Sequence, residues 1–260
     1  MANKINLPWA TGVDKYRDNL DLIIPQGYLK NRIQFLTNIS YNLQYLQFLD
    51  QLFKNEADLH PTVRKLNRKT FIVTGMSIVE ALLWYILKKN NKHKTKSYEK
   101  VWEKESSTFS LKGSQYRIVN RIEYKRDEPI ESEMRFYQMK NKVKDKALLG
   151  DVSSEIYANL NLLNKLRNKI HLQSLNYFFE TDWNSFDTDK VKLMKKTLYE
   201  LFESQPFYNE KSNFLSLLDF LRVDETKEEL GDFPDLKDED IPEFLKNEGF
   251  DLTKSDDLPF

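Results

Sequence analysis

From residue 31 onward, apolar side chains recur at three- and four-residue steps. In 31-NRIQFLTNISYNLQYLQFLDQLFKNEA-57 the positions Leu36, Ile39, Leu43, Leu46, Leu49 and Phe53 lie on one helical face. Pro61 suits the first turn of a second helix, where its missing N–H costs nothing. That helix is expected to run through Val63, Leu66, Ile72, Met76, Val79, Leu83 and Ile86 to about Asn90. Its second half is apolar nearly all round, so it belongs at the centre of the fold, with Trp84 and Tyr85 in the core. Helical spacing returns over 131–150, with Gly150 as a stop, and over 151–172, where Ile156, Leu160, Leu163, Leu166 and Ile170 form a stripe. Asp187 or Thr188 can cap a helix over 189–204 whose inner face is Val191, Met194, Leu198, Leu201 and Phe202. A short helix over 211–222 closes the compact part.

Two stretches break the pattern. Residues 1–30 carry Pro8, Pro25 and Gly27 and read as an irregular segment. Residues 107–126, with Tyr116, Ile118, Ile122, Tyr124 and Gly113, read as a short extended excursion or hairpin after a cationic loop or helix end at 91–100. The sum predicts an all-α fold: a helical bundle over 31–221 with a small extended or hairpin insertion, followed by an acidic C-terminal tail over 222–260.

Charge sharpens this division. The net charge is zero, yet residues 222–260 hold 14 acidic and 5 basic side chains, against 26 and 35 in the rest. The tail is either a solvated terminus or a segment that docks on a basic surface of its own body or of a regulatory partner. Cysteine is absent, which excludes disulfides, thiolate metal sites and a cysteine nucleophile. Seven glycines in 260 residues, with no G-x-G-x-x-G and no G-K-[ST], give no phosphate cradle. The three histidines His60, His93 and His171 have no metal-ligand spacing, so neither a metal nor a cofactor is expected. The N-terminus lacks a signal-peptide core, and the apolar run 71–87 is short for a membrane span and contains Glu80. A cytoplasmic protein without membrane contact is expected.

The chemistry concentrates in 163-LNKLRNKIHL-172. Steps of three and four gather Arg167, Asn168 and His171 along one helix edge, away from the apolar stripe. A guanidinium stabilises phosphate charge, an imidazole moves a proton near neutral pH, and a carboxamide orients either imidazole or substrate. That set suffices to cut RNA through its own 2′-hydroxyl. The alternative is structural, with Arg167 and His171 complementing the helix dipole. Glu80, inside an apolar helix, needs a partner: it sits either in a structural salt bridge or polar pocket, or as a supporting group for Arg167 or His171. The lysines at 92, 94, 96 and over 138–146, with Tyr98, Trp102, Tyr116 and Tyr137, read as solvated charge or as an RNA-docking face.

The helix 76-MSIVEALLWYILKK-89, the helix ending 163-LNKLRNKIHL-172 and the following 186-FDTDKVKLMKKTLYELF-202 together resemble the HEPN superfamily, especially its members in bacterial abortive-infection systems. The resemblance covers residues 31–205. It implies a metal-independent endoribonuclease in phage defence or a toxin system, with Arg167, Asn168 and His171 at the catalytic motif. It also implies RNA, such as tRNA or mRNA, as substrate and a homodimer through the motif-bearing helices. The motif has three residues between Arg and His, where the family usually has four to six. Many members bind nucleotides, RNA or proteins without cutting, so a non-catalytic helical binding module is the alternative.

Overall fold

The computed structural model describes residues 10–54, 59–169, 185–207 and 211–223. Among these, seven α-helices surround one hydrophobic core, and a long two-stranded antiparallel ribbon extends between the third and fourth. The all-α expectation is therefore wrong: the chain is mixed α/β. The ribbon's strands, β1 (Thr95–Leu111) and β2 (Ser114–Glu131), are 17 and 18 residues long. The cationic loop read at 91–100 already contains the start of β1, and the short excursion read at 107–126 is less than the ribbon's full length.

The physical reason for this error lies in the composition of β1. The run 99-EKVWEKE-105 is rich in Glu and Lys, residues depleted in strands, so it gives little strand signal. Here the charges pair across strands. Glu105 binds Arg117 at 2.7 Å, and Glu103 binds Arg121 at 2.9 Å. Three irregularities in β1, at Lys96/Tyr98, Lys100/Trp102 and Glu105/Thr108, also break its period-two alternation. The two-residue turn is Lys112–Gly113, both with positive φ (49° and 81°), the backbone twist that a tight hairpin needs.

The central helix is α3 (Pro61–Lys89), packed against α2 (Arg32–Phe53), α4 (Phe136–Asp145), α5 (Glu155–Lys169) and α6 (Thr188–Glu203). His60 caps it: the imidazole Nδ1 accepts from the Thr62 amide at 3.3 Å, and Pro61 occupies the first turn. Its core face comprises Phe71, Ile72, Met76, Val79, Leu82, Leu83, Tyr85 and Ile86, all buried. Val63 and Leu66, expected along this helix, are exposed, so its buried face begins after them. By length and composition α3 can cross a membrane, yet 61% of its apolar window is buried inside the protein.

Gly75 lets α3 and α6 approach. A Cβ there would lie 2.6 Å from Met194 Cγ and Sδ. The inner face expected for α6 is all buried, and Asp187 caps it by accepting from the Lys190 amide at 2.8 Å. Lys195 of α6 reaches Asp50 of α2 at 2.6 Å, a pair that is 11% and 4% exposed. Within residues 1–30, expected to be irregular, Val13–Ile23 forms α1, which packs on α2. Its Tyr16 hydroxyl lies 3.3 Å from Gln47 Oε1 and 3.4 Å from the Leu217 carbonyl of α7 (Lys211–Leu217). The helix expected over 131–150 is the shorter α4; the chain then turns through Ala147 (φ 49°) and Gly150 (φ 109°).

Candidate functional site

The helix α5 arises from the stripe Ile156, Leu160, Leu163 and Leu166, which is buried as expected. Tyr157 anchors its start, accepting from the Leu149 amide at 3.0 Å. This packing leaves Arg167 near the C-terminal end of α5, at the junction with α3 and α4. Arg167 Nη2 donates to Glu80 Oε2 at 3.1 Å and Oε1 at 3.4 Å, and the guanidinium sits 5.8 Å from the centre of the Phe136 ring. The two charged side chains are 36% and 34% exposed. Both bonds leave from Nη2, so the Nε and Nη1 hydrogens point elsewhere on the fork.

The structure thus brings two of the four expected site residues together. Glu80 is the partner of Arg167, a contact compatible both with a structural salt bridge and with a supporting role at the site. Asn168 lies within α5. His171 falls outside the described residues, as do Ile170 and the tail from residue 224.

A second feature begins on the same side of α3. Glu80, Trp84 and Lys88 are spaced four apart and so share one face, each about 6 Å further along the axis. Lys88 Nζ lies 5.5 Å from the centre of the Trp84 ring, and it also pairs with Glu131 at the end of β2. Hydrogen bonding from Lys88 holds the Glu131 carboxyl below its usual range. Trp84 is not sealed in the core. It lines a cleft of about 1230 Å³ between the start of α2, the end of α3 and the base of the ribbon. Tyr28, Phe35 and Tyr124 supply further rings, and Asn31, Gln34, Asn38 and Asn91 supply amides; Lys30 and Arg126, the latter paired with Glu99, are balanced by Asp127 and Glu128.

His93 completes this lining, edge-on to Trp84 with ring centres 6.1 Å apart. Its Nδ1 is buried without a hydrogen-bond partner. Burial, then the Lys88 charge, push its pKa below the ordinary histidine value, so the ring is neutral at pH 7. Sequence reasoning missed this cleft. The available signal was the four-residue spacing of Glu80, Trp84 and Lys88; the contributions of Tyr28, His93 and Tyr124 come from distant segments that only folding assembles.

Of the aromatics considered for an RNA-docking face, Trp102 and Tyr116 lie on the ribbon, Tyr98 lies on its opposite face, and Tyr137 is exposed on α4. Among the described residues no group of three or more histidine or carboxylate side chains is arranged to hold a metal ion. No family model matches the chain, and no curated protein or solved structure matches it.

Proposed function

We propose that the chain is a metal-independent endoribonuclease of HEPN type, acting in the cytoplasm in phage defence by abortive infection or in a toxin system. The observation that carries this reading is the Arg167–Glu80 pair. An ion pair with about a third of each side chain in solvent stabilises a fold by only about 0–1 kcal/mol. Its stronger effect is orientation: Glu80 fixes one side of the guanidinium fork, and Phe136 backs its plane. The fork is then held ready for a phosphate, at no reorganisation cost when substrate arrives.

In this mechanism the RNA 2′-oxygen attacks the adjacent phosphorus as its proton passes to His171. Arg167 stabilises the extra charge on the phosphoryl oxygens, and Asn168 positions imidazole or substrate. The bond from phosphorus to the 5′-oxygen breaks, the leaving oxygen takes a proton, and a 2′,3′-cyclic phosphate remains. General acid–base help of this kind is worth about 10²–10⁴ in rate. Two copies meeting along α5 would set two Arg167 edges beside one substrate.

The test is incubation of the purified full chain with diverse RNAs in EDTA. Products ending in cyclic phosphate are expected from the wild type and should be lost in His171→Ala and Arg167→Ala variants that retain helical circular dichroism. Intact RNA after wild-type treatment overturns the proposal.

The cleft beside Trp84 favours a second reading, a non-catalytic module that binds a nucleotide or RNA segment. Rings offer stacking to any base, and the amides and cations offer donors to base edges and phosphate. That reading expects saturable RNA binding without turnover, weakened by Trp84→Ala and by rising salt.

A further inference from the structure

The ribbon has two chemically different faces. Cross-strand partners share a face, and alternate residues of β2 alternate between faces. One face carries the pairs Phe109–Tyr116 and Trp102–Ile122, with Leu111 opposite Ser114 at the tip and Tyr124 opposite Glu99 near the base. The other carries Thr108–Arg117, Glu105–Val119, Glu103–Arg121 and Lys100–Glu123. The irregularities in β1 are what keep its large side chains in phase with those of β2.

The apolar face is in solvent. Trp102, Phe109, Leu111, Tyr116, Ile122 and Tyr124 are each between 44% and 59% exposed. Phe109 and Tyr116 stack on each other at 5.6 Å; at the base of the stripe Tyr124 lines the cleft beside α2 and α3, while Trp102, Phe109 and Leu111 stay about half exposed. A two-stranded ribbon reaching about 55 Å is marginal by itself in water and needs something to cover one face.

We infer that this face binds a second copy of the same chain, ribbon against ribbon. Charge selects this occupant. Residues 95–131 contain eight Lys/Arg and seven Asp/Glu, so the ribbon is nearly neutral. It neither repels its own copy nor attracts RNA or the acidic segment 222–260. On the opposite face Arg117 pairs with Glu105 and Arg121 with Glu103 and Glu123, so these charges stay in water when the apolar face is covered; of the charges on the apolar face itself, Glu99 pairs with Arg126 near the base and Lys104 stands opposite Asn120. Area agrees. The four aromatic side chains of the stripe, offering about 150–250 Å² each and roughly half exposed, bury about 400 Å² per copy, or about 800 Å² together, and Leu111, Ile118 and Ile122, also about half exposed, extend the patch. With those aliphatic side chains added, the total approaches the lower end of specific interfaces, about 1,200–2,000 Å². Two such faces pack about 10 Å apart, as sheets do.

Sedimentation equilibrium of the full chain tests this between about 1 and about 100 μM, a range that spans ordinary dimer affinities. A mass of two chains is expected. The double variant Trp102→Lys with Ile122→Lys should raise the dissociation constant by about tenfold or more, with far-ultraviolet circular dichroism unchanged. Arg117→Ser, on the other face, should leave it unaltered. The chain has no cysteine, so single cysteines report cleanly. Asn120→Cys, on the apolar face near the middle of the stripe, should form an interchain disulfide under mild oxidation, and Val119→Cys should not. A wild type that stays monomeric throughout overturns the inference. So does a dimer indifferent to the lysine pair, which would be held elsewhere, for example along α5. Both outcomes are independent of ribonuclease activity.

Discussion

Arg167 of α5 donates two hydrogen bonds to Glu80 of α3, both from Nη2. The pair joins two helices whose sequence positions are 87 residues apart, yet about a third of each side chain faces solvent. Arg167→Ala should therefore cost less than about 1 kcal/mol of stability. RNA cleavage should fall by at least about 100-fold, as for loss of one charge-stabilising group. Glu80→Gln should lie between wild type and Arg167→Ala, because a carboxamide still orients the fork but without its charge. Urea unfolding beside single-turnover cleavage separates the two effects. A large stability loss with unchanged cleavage would make the pair a structural cross-link.

The Asp50–Lys195 pair behaves oppositely, since both groups are nearly sealed between α2 and α6. Lys54, 3.4 Å from Asp50, is largely in solvent and offers weak compensation. Lys195→Met should cost about 3–5 kcal/mol by leaving a buried carboxylate. Asp50→Leu with Lys195→Met should recover most of that loss, which denaturant titration of both variants will measure.

Gly75 tests the contact between α3 and α6. Its hydrogen faces Met194, with no space for a side chain. Gly75→Leu should destabilise by about 1–3 kcal/mol through overpacking, more than the roughly 1 kcal/mol of helix propensity it gains. Met194→Ala alone should cost about 2–5 kcal/mol. The double variant should lose less than both losses together, because the new leucine enters the space the methionine leaves. Thermal unfolding of the four proteins gives the coupling.

Tyr85 is fully buried between the Phe35 and Phe207 rings, and its hydroxyl has no hydrogen-bond partner. Removing an unsatisfied buried hydroxyl relieves its desolvation, so Tyr85→Phe should stabilise by about 1 kcal/mol. Burial also pushes the phenols of Tyr85 and Tyr16 up to about 12 from 10.0. With the folded pKa raised, the unfolded chain ionises first, so stability is complete below pH 10 and falls between pH 10 and 12. Tyr85→Phe should flatten that alkaline decline, visible in unfolding midpoints at pH 10 and 11, inside the window these pKa values define, against pH 9 below it.

Sequence alone was enough to read the helices whose burial follows local periodicity. Leu36 to Leu49 in α2, Ile156 to Leu166 in α5 and Val191 to Phe202 in α6 are buried where their spacing put them. The Asp187 cap was legible for the same reason: it involves residues three apart. Side chains separated by one helical turn meet whatever the rest of the chain does. Tertiary structure decided what depends on distant partners. The Glu and Lys residues of β1 became strand residues because Arg117 and Arg121 lie across from them. Trp84 became a cleft wall because the start of α2 and the base of the ribbon come together around it. Glu80 became the holder of Arg167 because α5 crosses α3 at that turn. No local spacing carries that information, since each outcome depends on contacts between residues far apart in the chain.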